Sequence, residues 1–427
     1  MRKPDREINR KTNFRWAIVA LLFFATTVNY FDRFLMGIMA PLLETEIGWT
    51  EMQYGYIVSS FQFAYAVGTL LVGYVIDRMG TRWGFTLAVS LWSIASMLHA
   101  AARSWVGFAF ARIGLGLSEA GNFPAAIKTV AEWFPKKERA FATGLFNGGS
   151  NVGAILAPLL VPLIISTMGS WEWVFILSGF LGVFWLVFWL IFYNKPRKSR
   201  FANQAEIEYI EDGESEDEGI KISWVKLLRY RQTWAVAFGK LFADPVWWFY
   251  LFWGAKFLNS KFDINLKELA LPLVVIYVVA DFGGIAGGAI SSLLIKKGRS
   301  VNYARKITML GSALLVLPVM TVPYYSSLST SVAFIAIAAA AHCSWSANIF
   351  TVVSDLFPKQ VVATVTGFAT TISTIGGMAM ALLVGYVLNE SGTEGYKVTF
   401  AVASCGYLIG IGLMHLLVPK MKPLKKI

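Results

Sequence analysis

Several ionisable residues stand inside long apolar runs of this sequence, and four of them are the first candidates for chemistry. Asp32 and Arg33 are adjacent in the first run, and Arg112 and Glu119 lie seven residues apart in a later one. A charge at the centre of a bilayer costs at least about 2.5 kcal/mol on insertion scales, so charges kept there indicate function. A guanidinium in a low-dielectric cavity is suited to binding a carboxylate, and a carboxyl group beside it is a candidate proton carrier.

The spacing of these residues leaves a functional and a structural interpretation open. Seven residues at 3.6 per turn put Arg112 and Glu119 on one helix face, about 10 Å apart along the axis, where both can line one cavity. Alternatively, Arg112 forms a buried ion pair with Asp32 or Glu119 that only fixes helix packing. Protonation of Asp32 would free Arg33 to hold an anion; alternatively, Asp32 merely neutralises Arg33.

Aromatic and polar side chains in the apolar runs are further candidate ligands. Aromatic rings, including the cluster Trp247, Trp248, Tyr250 and Trp253, suit stacking on a sugar ring, and hydroxyl, amide and imidazole groups suit hydrogen bonds to its hydroxyls. The candidates for binding are Tyr30, Tyr65, Asn147, Ser150, Trp247, His342, Trp345, Asn348 and Thr370. His342 is equally well explained as a packing residue.

Asp244 and Pro245 predict a break in their helix, because proline removes a backbone hydrogen bond. The break would be a gating bend or would place a carboxylate beside the anion.

Twelve apolar runs of about 20 residues carry these side chains. Of the 427 residues, 56% are apolar and 15% are charged, which is typical of a protein whose solvent is mostly lipid. A run of this length crosses a hydrocarbon core of ~30 Å. The runs are 16–38, 54–76, 83–102, 105–130, 140–163, 172–193, 231–257, 268–294, 304–326, 329–353, 361–388 and 396–418. The sequence therefore predicts an all-α integral membrane protein with twelve transmembrane helices.

The basic residues predict the orientation of these helices. A net charge of +12 would suggest a nucleic-acid partner in a soluble protein, but here the cations lie on alternate loops, and no nucleic-acid partner is predicted. The basic clusters are 2–15, 78–82, 136–139, 195–200, 296–306 and 420–426. By the positive-inside rule both termini are cytoplasmic. The two cysteines, Cys343 and Cys405, fall inside runs, so neither a disulfide framework nor a metal site is predicted.

A repeated motif indicates an internal duplication. Residues 132–136 read EWFPK, and residues 355–359, which begin 223 positions later, read DLFPK. The same offset maps Gly144 onto Gly367. It predicts two six-helix halves, 1–193 and 231–427. A membrane protein built of such repeats binds its substrate near the midplane between them.

Two further predictions follow from the duplication. The polar stretch 194–230 between the halves is interpreted as a cytoplasmic linker, with a short amphipathic helix near 204–211 and an acidic run from Glu211 to Glu218. The offset also maps Arg33 onto Lys256. Lys256 then either faces the anion together with Arg33 or extends its amine to the outer interface.

The stretch GYVIDRMGTRWG, residues 73–84, lies between two apolar runs. Its glycines and charged residues predict a tight turn that is held in place by ionic contacts. It resembles the signature loop between the second and third helices of the major facilitator superfamily. The residues on that pattern are Gly73, Asp77, Arg78, Gly80 and Arg82. The second half, between Gly287 and Arg299, lacks the corresponding Asp, so any latch is asymmetric.

Within that superfamily the sequence is most similar to bacterial hexuronate transporters of the anion:cation symporter family. The likeness is carried by NYFDR at 29–33, Arg112 with Glu119, the EWFP motif at 132–135, ADP at 243–245 and the pair Ala341-His342. By position, Tyr30, Asp32, Arg33, Tyr65, Arg112 and Glu119 match the binding and coupling positions of galactonate-type members, with Ser150 where that type has a glutamine.

The resemblance implies a monomeric, multi-pass symporter of the inner membrane that imports galacturonate or glucuronate with protons and uses no other cofactor. Arg33 and Arg112 would hold the carboxylate, and Asp32 and Glu119 would carry protons. The alternatives are a carrier of another organic anion, such as galactonate, tartrate or an aromatic acid, and a membrane sensor that does not transport. No nucleophile and base, metal cluster or phosphate-binding loop favours an enzyme. The sugar epimer and the number of protons stay open.

Overall fold

The computed structural model describes residues 11–211 and 224–424, and in this part of the chain the protein is all-helical. The first eight helices are α1 (Phe14–Ile47), α2 (Glu51–Met79), α3 (Thr81–His99), α4 (Trp105–Glu119), α5 (Asn122–Trp133), α6 (Lys136–Asn147), α7 (Gly149–Met168) and α8 (Glu172–Phe192). The others are α9 (Gln204–Glu211), α10 (Trp224–Leu227), α11 (Arg231–Phe262), α12 (Leu266–Lys296), α13 (Val301–Val316), α14 (Leu328–Leu356), α15 (Lys359–Ser391) and α16 (Gly395–Leu417).

Some predicted features fall outside the described residues. They are the basic residues Arg2, Lys3, Arg6, Arg10, Lys425 and Lys426 and the acidic run beyond Glu211. The helix predicted near 204–211 is confirmed as α9.

Every predicted apolar run coincides with one helix or with two helices in succession, and the run at 304–326 continues from α13 into a 3-10 helix, Leu317–Tyr324. Helices α4 and α5 share the run at 105–130 and are separated by Ala120 and Gly121, both of which keep right-handed helical backbone angles. Helices α6 and α7 are joined in the same way through Gly148. Eight helical stretches of the described chain are long and apolar enough to cross a membrane.

The predicted break at Pro245 is wrong, because α11 runs unbroken from Arg231 to Phe262 with this proline inside it. Proline removes only one helical hydrogen bond, and the ring is buried where α15 presents Gly376, whose missing side chain leaves room beside Pro245 and Leu241. One turn earlier, Lys240 pairs with Asp244 at 2.8 Å. Asp244 is therefore neutralised within its own helix.

The ends of the helices define two ends of the molecule. At the basic end α1 begins, α2 ends at Met79, and Gly80 turns the chain into α3 with a positive φ of 78°. At the far end α1 stops at Gly48, which has a left-handed backbone, and α2 begins with a capping box between Thr50 and Gln53. An Asn265 and Glu268 capping box likewise starts α12.

The helices pack as an N-terminal group, α1–α8, and a C-terminal group, α11–α16. Three helix pairs provide the main contacts between the groups: α1 with α11, α2 with α15, and α7 with α12. Small residues allow close approach, since a side chain at Gly37 would collide with the Leu251 backbone, and Gly55 lies against Ala381 and Gly385.

The two groups are joined on the far side of the midplane. The polar and aromatic contacts between them that the structure describes include the hydrogen bond from the Tyr54 hydroxyl to the Phe252 carbonyl, 2.7 Å, and the edge-to-face rings of Phe34 and Tyr277. All of these contacts lie in the halves of their helices nearer the far end. This arrangement closes the far end and leaves the charged residues of α1 and α4 at the point where the groups part.

Candidate functional site

The centre of the candidate site is an ion pair between α1 and α4. Arg33 donates from Nη2 and Nε to Glu119 Oε2 at 3.0 and 3.2 Å. Both side chains are almost fully buried. The second carboxylate oxygen of Glu119 has no hydrogen-bond partner among the described residues. A buried charge pair left partly unsatisfied is costly as a purely structural device, so this pair has the character of a functional site.

Asp32 is not the partner of Arg33, which corrects the expectation that these two neighbours act as a pair. Adjacent helical positions point about 100° apart, so Asp32 turns towards α3 and α8 while Arg33 turns towards α4. Ser96 donates to Asp32 Oδ1 at 2.9 Å, and Ser178 donates to the same oxygen. Asp32 is therefore a buried carboxyl group held by two hydroxyls inside the N-terminal group.

Aromatic rings surround the Arg33 guanidinium. Its central carbon lies 4.9 Å from the Tyr30 ring, 4.7 Å from the Tyr65 ring, 5.5 Å from Phe61 and 5.7 Å from Trp248. Such rings attract a cation, most strongly where water is excluded. Trp248 belongs to α11, so the C-terminal group completes a cage around a cation of the N-terminal group.

Arg112 is the most unusual group of the site. It is 1% exposed, yet none of its three nitrogens makes a hydrogen bond to a residue that the structure describes. Its central carbon lies 5.3 Å from the Phe61 ring and 6.0 Å from the Phe252 ring. The predicted alternative of an Arg112 ion pair with Asp32 or Glu119 is not observed. A buried guanidinium with free donors is prepared to receive an anion.

The two guanidinium groups belong to one site, because the ring of Phe61 lies within 5.5 Å of both. Arg33 is engaged by Glu119, whereas Arg112 is open. In the observed arrangement, the Arg112 guanidinium can accept a carboxylate without first breaking another contact. Arg33 can act as a second cation only after Glu119 releases it.

The predicted ligands of the C-terminal group form a separate cluster. His342 Nδ1 and the Tyr407 hydroxyl share a hydrogen bond of 2.7 Å, and the imidazole stacks on the Trp247 ring at 4.9 Å. Trp345 is fully buried against Tyr407. Trp247 also contacts Tyr277, which touches Phe34 beside Arg33, so this cluster borders the charged site without joining it.

The remaining predicted ligands are not brought to the guanidinium groups by any described hydrogen bond or ring contact. Asn348 donates to the carbonyls of Gly287 and Ser344, which ties α14 to α12. Ser150 donates to the Asn147 carbonyl at 2.7 Å, and Thr370 is half-buried on α15. These positions lie on the helices that flank the opening between the groups.

Sequence reasoning missed Phe61, Gln62, Ser96 and Ser178. The serines satisfy Asp32, and Phe61 lies between the two arginines. Their residue types are ordinary in apolar helices, and only their meeting with a charge from another helix gives them a role. The one available signal was helical spacing, since Phe61 and Tyr65 share a face of α2.

The predicted signature loop is latched through a residue outside it. Asp77 pairs with Lys128 of α5 at 2.6 Å, whereas Arg78 contacts only the Tyr74 hydroxyl of its own helix among the described residues. Arg82 donates to the Leu190 carbonyl at 2.7 Å, and Gly84 packs against Ile76. Gly73 is half-buried with open space beside it. The loop therefore ties α2 to α5 and α3 to α8.

Lys256 does not extend into the outer interface, contrary to that prediction, and it does not reach the anion site either. It is 4% exposed and pairs with Glu44 at 2.8 Å and Glu51 at 2.7 Å, both from the N-terminal group. Its amine also lies 5.2 Å from the Tyr54 ring. Lys256 is an ionic link between the groups at the far end.

A buried, charged site between two groups of long apolar helices defines a membrane transporter. The chain belongs to the Major Facilitator Superfamily, whose family model matches residues 22–381. This confirms the resemblance inferred from the sequence, and because the superfamily consists of transporters, it also confirms that the chain is not an enzyme.

The relatives agree with the finer resemblance. The chain is 34% identical over 402 residues to the hexuronate transporter of Escherichia coli strain K12, covering 93% of this chain and 92% of the relative. It is 34% identical to the galacturonate transporter of Dickeya chrysanthemi, covering 76% and 95%. A solved bacterial homologue of the human lysosomal transporter Spinster, in an inward-facing and occupied conformation, shares the fold with a TM-score of 0.78, 18% identity and coverage of 96% and 97%.

Proposed function

We propose that the protein is a twelve-span symporter that imports a monocarboxylate sugar acid, galacturonate or glucuronate, together with protons across the inner membrane. The observation that carries this proposal is the buried Arg112, which has no hydrogen-bond partner among the described residues, beside the Arg33–Glu119 pair. A carboxylate is the ligand that matches a guanidinium with free donors. The names of the relatives at 34% identity supply the class of carboxylate.

The geometry supports a coupling scheme that centres on Glu119. While Glu119 is ionised, it holds Arg33 at 3.0 Å. A proton on Glu119 removes the charge that binds Arg33, so the guanidinium becomes available to the substrate. Proton and anion then favour each other's binding, which is the requirement for symport. Asp32, held apart by Ser96 and Ser178, is proposed as a second proton site that does not compete for Arg33.

Alternating access would use the two groups as its moving halves, residues 1–193 and 231–427, joined by the linker 194–230. With the basic end in the cytoplasm, as the positive-inside rule requires, the observed closure at the far end makes this an inward-facing arrangement. Opposite rocking would break the link of Lys256 to Glu44 and Glu51 and close the basic end around the site.

Uptake into proteoliposomes tests the function. We expect labelled galacturonate to accumulate under an imposed inward proton gradient, to be competed by glucuronate, and to stop accumulating when a protonophore collapses the gradient. Accumulation that a protonophore leaves unchanged would contradict proton coupling. Stabilisation only by galactonate or tartrate in a ligand screen would move the substrate while keeping the carrier, and stabilisation by no organic anion would contradict the role of Arg112.

A further inference from the structure

Gln62 on α2 is a buried amide that bonds to nothing the structure describes. Its side chain is 1% exposed, and neither Oε1 nor Nε2 has a hydrogen-bond partner among the described residues. An unpaired polar group is unfavourable when it is buried, so this amide calls for a partner beyond the described residues.

The surroundings of Gln62 place it on the wall of the anion site. A Cβ atom added at Gly377 of α15 would lie 2.4 Å from Gln62 Oε1 and 3.0 Å from Trp248 Cδ1. The amide and the Trp248 ring therefore border the same point, and a side chain at position 377 would displace the amide from its observed position. That Trp248 ring lies 5.7 Å from Arg33, and the preceding residue, Phe61, contacts both guanidinium groups.

Gln62 also lies where α2 and α15 part. Closer to the far end, Gly55 packs directly on Ala381 and Gly385 of α15, whereas Gly73, which lies further along the same face of α2, has open space beside it. Gln62 lies between these two glycines on the same face of α2, one helical turn from Tyr65.

We propose that Gln62 is a substrate-binding residue that recognises one hydroxyl group of the sugar acid whose carboxylate is held by the arginines. This inference rests on the proposed function and extends it to specificity. An amide offers both a donor and an acceptor to a hydroxyl. A site that hydrogen-bonds a hydroxyl rejects an analogue without it, because its own polar group is then left unpaired. Because Gly377 has no side chain, the Gln62 amide can occupy the space beside it.

The test combines a protein variant with substrate analogues. Wild-type protein, Gln62→Leu and the control Gln232→Leu, a half-buried glutamine in the first turn of α11, are purified, and their binding of galacturonate and of derivatives that each lack one hydroxyl is measured by calorimetry. We expect Gln62→Leu to bind galacturonate about tenfold more weakly, and to match the wild type for the one derivative that lacks the recognised hydroxyl. The control should bind all ligands like the wild type.

Two results would overturn the proposal. Equal weakening for galacturonate and every derivative would show that Gln62 only packs or bonds α15 in another arrangement of the groups, and unchanged binding would show that it does not meet the ligand. If the wild type binds a different sugar acid, the hexuronate assignment fails on its own, and the same comparison with derivatives of that acid decides the role of Gln62.

A second pair of variants guards against misfolding. Gly377→Ala places a methyl group on the position of the Gln62 amide and should weaken galacturonate binding to a similar degree. The double variant Gln62→Ala/Gly377→Ala should bind galacturonate almost as well as Gln62→Ala alone, because the shortened side chain at position 62 leaves room for the methyl group. Fully additive losses would contradict the role of Gly377 in placing the amide.

Discussion

At the level of single residues, the four buried charges of the site differ in the partners that they contact. Arg33 is occupied by Glu119, Asp32 is held by two serines, and Arg112 has no hydrogen bond to a described residue. In the proposed mechanism Arg112 is the first contact for an anion, and a proton on Glu119 releases Arg33. This division could not be obtained from residue types alone, since the sequence equally allowed Asp32 to pair with Arg33.

Replacing Arg112 tests the anion contact. Arg112→Ala removes the free guanidinium, so galacturonate binding should fall by about 10- to 100-fold, the loss associated with charge-assisted hydrogen bonds. The measurement is calorimetry or ligand-induced thermal stabilisation of purified protein. Arg103→Ala is the control, because Arg103 is a largely exposed arginine that pairs with Glu172 at 3.2 Å. Binding that survives in Arg112→Ala would assign the carboxylate to another cation.

Replacing Glu119 tests the coupling scheme. Glu119→Gln removes the negative charge that holds Arg33, so substrate binding and exchange across liposomes should persist while proton-driven accumulation is lost. Counterflow and gradient-driven uptake of labelled galacturonate, measured on the same preparation, separate the two processes. Gradient-driven accumulation at the wild-type level in this variant would rule out Glu119 as the coupling residue.

At the scale of elements, the linker helix α9 is built into the N-terminal group rather than merely connecting the groups. Glu206 is fully buried and accepts hydrogen bonds from the Thr12 hydroxyl at 2.6 Å and from the backbone N–H groups of Phe14 and Arg15 at 3.1 Å. It therefore caps the first turn of α1 from a distant segment, where a carboxylate is also favoured by the helix dipole. Arg15 completes the contact at 3.0 Å.

A tyrosine strengthens the same contact. The Tyr209 hydroxyl donates to Glu138 at 2.6 Å, and Lys11 lies 3.3 Å from the centre of its ring. That hydrogen bond to a carboxylate raises the pKa of Tyr209, so the hydroxyl stays a donor throughout the neutral range. The sequence predicted α9 but interpreted the segment as a solvated linker, because a single buried glutamate is not visible in a polar stretch.

Removing the cap should destabilise the protein. Glu206→Ala leaves the first N–H groups of α1 and the buried Arg15 with fewer partners, and we expect a loss of about 3 kcal/mol, seen as a lower apparent unfolding temperature in detergent. Glu208→Ala is the matched control, because Glu208 lies on the same helix, is exposed and accepts only from Gln204 among its described contacts. Equal unfolding temperatures for the two variants would contradict the capping role.

At the scale of the whole molecule, the two groups of helices are held together at one end. Lys256 from α11 links to Glu44 and Glu51 on either side of the turn between α1 and α2. Since Lys256 is buried and its partners belong to the other group, this link favours the arrangement that is closed at the far end. The duplication offset related Lys256 to Arg33. Lys256, however, links the two groups of helices at the far end, whereas Arg33 pairs with Glu119 in the candidate site.

Breaking this link should shift the population of conformations. Lys256→Ala is expected to favour opening of the far end by about tenfold, the effect of roughly 1.4 kcal/mol. The measurement is labelling of a cysteine introduced at Ser59, a buried residue of similar size in the half of α2 nearer the far end, by a membrane-impermeant thiol reagent, after replacement of Cys343 and Cys405. Lys267→Ala, an exposed lysine near the same end, is the control. A labelling rate identical to that of the control would show that Lys256 does not hold the far end closed.

The features that are local or periodic could be predicted from the amino-acid sequence alone. Apolar runs long enough to cross a bilayer predicted the helices, because each helix satisfies its own backbone hydrogen bonds in lipid whatever its neighbours do. The resemblance around 73–84 and 29–33 was enough to predict the superfamily, and the cost of a charge in lipid singled out Asp32, Arg33, Arg112 and Glu119.

Which charge meets which partner depends on how the helices pack and could not be predicted from the sequence. Whether Arg33 pairs with Asp32 or Glu119, whether Pro245 interrupts α11 and whether Lys256 reaches water all depend on side chains contributed by helices distant in sequence. Ion pairs and hydrogen bonds form only between groups a few ångströms apart, and in a low dielectric their energies are large. Neighbouring helical positions point about 100° apart, so Arg33 meets α4 while Asp32 meets α3 and α8. The unbonded amide of Gln62 became visible for the same reason: its state is defined by the neighbours that fail to reach it.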